Sequence, residues 1–170
     1  MKIQTIETLT DLLTTNLQCI YDNEIRLRKI VSQLNDKTET TDLGRILTKY
    51  MKRINEKINR LEQIFVILRE DPRGWENKVI EEITDNANKI FKHIPHHDVR
   101  DAAIIAEIQQ ISHLLISDYG TACAFARSLA LEDVAKLLHE TLEDEKSSDK
   151  EFSVIAKEKI NSRAKGTLVF

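Results

Sequence analysis

The stretch LTTNLQCIYDNEIRLRKIVSQL (residues 13–34) decides the fold. Leu13, Leu17, Ile20, Leu27, Val31 and Leu34 recur in steps of three and four, with Glu24 filling the one place where the series needs a hydrophobe. That is the spacing of a single helix face turned to a core. A second stripe near the other end, Val134, Leu138, Thr141, Glu145, Ser148, Phe152 and Ile155, repeats the pattern and carries its own glutamate, Glu145. Both carboxylates are therefore expected to point inward. A carboxylate in a bundle interior is costly unless it binds a metal, meets a cation or carries a proton.

The rest of the chain reads as helix as well. Only four glycines and two prolines punctuate it, and no strand-like alternation persists. The first helix is expected from Thr8 to Leu34 and the second from Asp42 to Arg69, with Leu47, Tyr50, Ile54, Ile58, Leu61, Phe65 and Leu68 on its apolar face. Asp71-Pro72-Arg73-Gly74 stops it, and a short amphipathic segment through Val79, Ile80, Ile83, Ala87, Ile90 and Phe91 follows. Asp98 is the expected N-cap of a third long helix carrying Ile105, Ile108, Ser112, Leu115, Tyr119, Ala122, Ala126 and Leu129. A tight turn near Leu131-Glu132-Asp133 leads to a fourth helix ending near Asn161. Short, long and short connections, the long one holding its own helix, predict an all-α, ferritin-like four-helix bundle with a central crossover.

At 170 residues, 41% of them hydrophobic, the chain supports one core and is short for two domains. One domain over residues 1–161 and a basic, then apolar tail over residues 162–170 are expected. The net charge of -3 provides no basic field to gather nucleic acid or anionic lipid, so neither is an expected partner. No apolar run reaches signal-peptide or membrane-span length, and Cys19 and Cys123 lack CxxC spacing. A cytoplasmic location is the matching expectation.

A two-metal bundle site uses Glu-x-x-His pairs, and the residues three before His93, His96, His97, His113 and His139 are Ile90, His93, Ile94, Gln110 and Lys136. The chain has no such pair. His93, His96 and His97 crowd into one loop, where exposure on a polar turn outweighs metal binding.

Five phrases in order, Tyr21-Asp22-Asn23-Glu24, Arg60-Leu61-Glu62-Gln63-Ile64-Phe65, Val99-Arg100-Asp101-Ala102-Ala103, Tyr119-Gly120-Thr121 and Leu142-Glu143-Asp144-Glu145-Lys146, resemble the YciE/YciF-type ferritin-like proteins. The resemblance implies a bacterial, stress-associated protein, commonly dimeric, so a homodimer or other homo-oligomer is expected. It also implies a two-metal centre at six positions, which map here onto Glu24, Arg53, Lys57, Ser112, Leu115 and Glu145. Two acids, two bases and two neutral residues sum to zero, so the set can neutralise itself without a metal.

The expectation is thus a vestigial centre with no cofactor and no catalytic residues. Two alternatives stay open. Arg53 and Lys57 can flank the Ile54 and Ile58 stripe and reach water. A di-iron or di-manganese oxidase or peroxidase-like site can form from Glu24, Glu145 and Asp149, with His113 or Asp118.

Overall fold

Thr8 fixes where the first helix begins. In a computed structural model that describes residues 5–166, its hydroxyl accepts from the Asp11 amide at 3.1 Å, and the Asp11 carboxylate accepts from the Thr8 amide at 2.9 Å. This reciprocal capping box satisfies two orphan donors of α1 (Leu9–Asn35). Helix α2 (Thr41–Leu68) closes on Arg69, whose left-handed φ of 58° lets Glu70 donate back to the Phe65 carbonyl at 3.0 Å. The crossover then carries α3 (Val79–Phe91).

Helix α4 (His97–Ser128) starts two residues earlier than an N-cap at Asp98 would place it. The expected N-cap Asp98 lies inside the first turn, because extended His96 already accepts from Arg100 at 3.0 Å; its carboxylate still favours the positive helix end. Ala130, at φ 55°, makes the sharp turn into α5 (Glu132–Ile155). A π-helical turn, Ala156–Ile160, and a last short helix, α6 (Asn161–Ala164), extend that rod into the stretch expected to be tail. The wide turn has a packing reason: a five-residue step from Ile155 to Ile160 keeps Ile160 buried on the face that holds Phe152 and Ile155. The end of the expected tail, residues 167–170, lies outside the described residues.

Helices α1, α2, α5 and α4 form a closed ring of four, each packed on the next. Contacts across the pairs run in opposite directions along the chain: Lys49 meets Glu151 while Arg60 meets Asp144, and Thr38 meets Asp101 while Tyr119 meets Glu24. Neighbours are therefore antiparallel, and α1 and α5 face each other across a diagonal. Gln18 bonds the Asp71 carbonyl at one end of the bundle and Thr38 bonds Asp101 at the other, so the crossover must travel its length. This is the all-helical bundle with a helix-bearing central crossover that the sequence predicts. Helix α3 lies on α1 and α4, with Ile80 alone of its residues fully buried.

The core is apolar over most of its length, with Leu13, Leu17, Ile20 and Leu27 of α1, Leu47 and Ile54 of α2, Ile108 and Leu115 of α4, and Leu138 of α5 all inaccessible. Among the described residues no helix is long and apolar enough to cross a membrane.

The two caps give a contrast that urea unfolding can read. Thr8→Ala should lose about 1 kcal/mol. Thr40→Ala, at an N-cap with no side-chain hydrogen bond, should lose much less.

Candidate functional site

The stripe positions of Glu24 and Glu145 place both at the bundle centre, where neither has any accessible surface. Between them stands Lys57, 1% exposed, with its Nζ 2.7 Å from Glu24 Oε1 and 2.5 Å from Glu145 Oε2. Because α2 borders both α1 and α5, one ammonium on α2 can join the two diagonal helices. Helix α4 completes the ring of donors: the Tyr119 hydroxyl donates to Glu24 Oε1 at 2.8 Å and Ser112 Oγ donates to Glu145 Oε1 at 2.6 Å. The Tyr50 hydroxyl of α2 donates to the same Glu145 oxygen at 2.7 Å. Tyr50 is itself held edge-on to Phe152, ring centres 5.2 Å apart, and offers its face to Lys57 Nζ at 5.4 Å.

Two seven-residue intervals build this geometry. Tyr50 and Lys57 on α2, and Ser112 and Tyr119 on α4, are each two turns apart, so each pair lies on one face about 10 Å apart along the axis. Leu115, one turn from Ser112, fills the apolar space of the same face and donates nothing.

The electrostatics follow from enclosure. Burial alone would push the Lys57 amine toward neutrality, but Glu145 and Glu24 outweigh it and hold its pKa above the ordinary lysine value of 10.5. Its contribution to stability is therefore complete below about pH 10.5 and is lost as pH rises through the folded value. Burial raises the Glu24 pKa, Lys57 opposes it, and the Glu145 charge adds to the rise. Burial and the two carboxylates keep the Tyr50 and Tyr119 phenols neutral far above their usual range.

Of the six mapped positions, Glu24, Lys57, Ser112, Leu115 and Glu145 come together at the centre. Arg53 does not. It lies one turn of α2 from Lys57 and reaches outward, donating to Ser148 Oγ at 2.9 Å and to the half-exposed Glu151 at 2.9 Å. The reading in which both bases flank the stripe and reach water therefore fits Arg53 and fails for Lys57. Without Arg53 the buried carboxylates outnumber their cation by one, so the Glu145 charge adds to the burial that already draws Glu24 toward its neutral form; its Oε2 has no hydrogen-bond partner.

The alternative ligands also lie apart. Asp149 accepts from Gln109 at 3.0 Å and faces His113, which is largely exposed, on the outer side of α4 and α5. Asp118 is half-buried, with Cys19 the group that feels its charge. Among the described residues no three His, Cys, Asp or Glu side chains gather closely enough to hold a metal ion. The centre offers two carboxylates, two phenols and a hydroxyl around an ammonium, a donor set that does not fit a pair of divalent ions. Sequence reasoning placed Tyr50 and Tyr119 on apolar stripes and missed their polar role. A tyrosine at a core position needs a partner for its hydroxyl, and that rule was the signal.

Fold and cluster together define a helical bundle whose polar centre is sealed from solvent and joins two carboxylates through one ammonium. The DUF892 profile, a domain of unknown function, matches residues 8–165, and the chain belongs to that family. It is 28% identical to protein YciF of Escherichia coli K12 over 164 residues, 94% of this chain and 96% of YciF. The structure of the E. coli stress protein YciF superposes with a TM-score of 0.86 at 27% identity, covering 92% of this chain and 99% of that one. YcfI of Rhodopseudomonas palustris, a proposed structural protein, superposes with a TM-score of 0.87 at 29% identity and the same coverage.

Removing Lys57 strands two carboxylates, so Lys57→Met should cost about 3 to 5 kcal/mol in urea unfolding. Adding Glu24→Gln and Glu145→Gln should recover most of that loss, since amide oxygens still accept from Tyr119, Tyr50 and Ser112. Arg53→Leu should cost less than about 1 kcal/mol, as its partner Glu151 is already hydrated.

Proposed function

We propose that this chain is a non-catalytic, stress-associated member of its family, in which an internal Glu24–Lys57–Glu145 cluster stands where the resemblance implies a two-metal centre. One observation carries the reading: Lys57 Nζ occupies the space between the carboxylates, at hydrogen-bond distance from both. A metal entering there would have to displace or deprotonate an ammonium whose pKa the two carboxylates raise. Enclosure supports the same reading, because the grooves between α2 and α5 and beside the α2–α3 connection are lined by other residues. A substrate held in either groove would not touch Glu24, Lys57 or Glu145.

In this account the cluster acts as a register device. It joins α1, α2, α4 and α5 at one level, so a slip of any helix by a turn strands a buried charge. The stress association rests on the similarity to YciF and on the sequence phrases shared with that group. Homo-oligomeric assembly and a cytoplasmic location belong to the same proposal. Val66, 78% exposed, and Ile67 beside it at the end of α2 are apolar surface such an assembly would cover.

Elemental analysis of protein purified without chelator is the test. The reading predicts iron and manganese far below one per chain, and no rise in thermal midpoint when either ion is added. A stoichiometric pair of ions that disappears in Glu24→Gln would overturn it.

A further inference from the structure

Helix α3 covers the seam between α1 and α4 with little to hold it. Ile80 is its only fully buried residue, Ile83 and Phe91 are partly buried, and its side-chain ties to the α1 region are Arg26 to Glu81 at 3.3 Å and Lys37 to Asn88 at 3.5 Å. Beneath it, on α4, lies Glu107. This side chain is 3% exposed, and neither of its carboxylate oxygens has a hydrogen-bond partner. Thr84 faces it from α3 with a hydroxyl that is also unpartnered. The charged group acting on it is Lys37, from the turn after α1, whose ammonium is shared with Asn88 and with the Phe91 ring 5.6 Å away.

An ionised carboxylate cannot stay in such a place without cost, since one hydroxyl, that of Thr84, and the charge of Lys37 replace only part of the water it has lost. A protonated one can stay, because its hydroxyl can donate to Thr84 and no charge is buried. The closed position of α3 is thus tied to the protonation of one side chain.

We propose that α3 is a pH-sensitive cover, closed over the α1–α4 seam while Glu107 is neutral and lifted when Glu107 ionises. Burial pushes the Glu107 pKa from 4.5 up to about 7, against weaker opposing pulls from Thr84 and Lys37. The closed form therefore binds the proton more tightly than the open, hydrated form. Closure is fully favoured below the open-state value of 4.5 and weakens as pH rises to about 7. Above that it stays at its weaker level. Lifting presents the apolar side of α3, with Ile80, Ile83 and Phe91, together with the seam it covered. The device is separate from the core cluster and holds whether or not that cluster ever bound metal.

Amide hydrogen exchange of the full chain tests this, with exchange corrected for its intrinsic pH dependence and α1 and α5 amides as the internal reference. From pH 6 to pH 8 the opening constant of residues 79–91 should rise about tenfold in the wild type, the increase expected for pKa values near 4.5 and 7. In Glu107→Gln and in Glu107→Leu it should stay flat. A flat wild-type profile, or the same rise in both variants, overturns the proposal.

Discussion

A single ammonium shared by two buried carboxylates constrains the rest of this bundle. Lys57 reaches Glu24 on α1 and Glu145 on α5, helices that share no edge, and so sets the depth at which three helices meet. Tyr119 and Ser112 bring α4 to the same level. Leucines and isoleucines surround this layer and supply most of the driving force, but they tolerate a slip of one turn far better than a charge does. The apolar core favours collapse, and the proposed role of the cluster is to select which collapsed register persists.

The helices and their order were legible because the chain keeps a strict step of three and four wherever one face is buried. Glu24 and Glu145 were legible as central for the same reason, as interruptions in otherwise apolar series. The partner of Glu24 was not. Arg53 and Lys57 lie four residues apart on one side of the Ile54–Ile58 stripe, and periodicity gives direction around a helix without depth along the bundle. The structure puts Lys57 level with both glutamates, while Arg53 falls one turn away at the rim beside Glu151. The sequence sum of zero over six positions therefore overstated the neutrality of the centre.

Two other features escaped sequence reasoning on physical grounds. Glu107 is hidden by α3, a helix whose docking site cannot be read from the long helices alone, so nothing in the sequence marks this glutamate, off the main stripe of α4, as buried. The π-helical turn at Ala156–Ile160 lets a five-residue step stay on one face, a spacing that helical periodicity does not anticipate.

The chain belongs with the YciF-like bundles, and its buried polar centre carries a cation of its own, Lys57. That claim turns on the protonation state of one atom, Lys57 Nζ. Nitrogen-15 NMR of the lysine side chains measures it directly. The account predicts one ammonium signal, lost in Lys57→Met, that exchanges slowly with water and stays protonated at pH values where the surface lysines have become amines. A Lys57 signal that titrates together with the surface lysines, or is already a neutral amine at neutral pH, would contradict it.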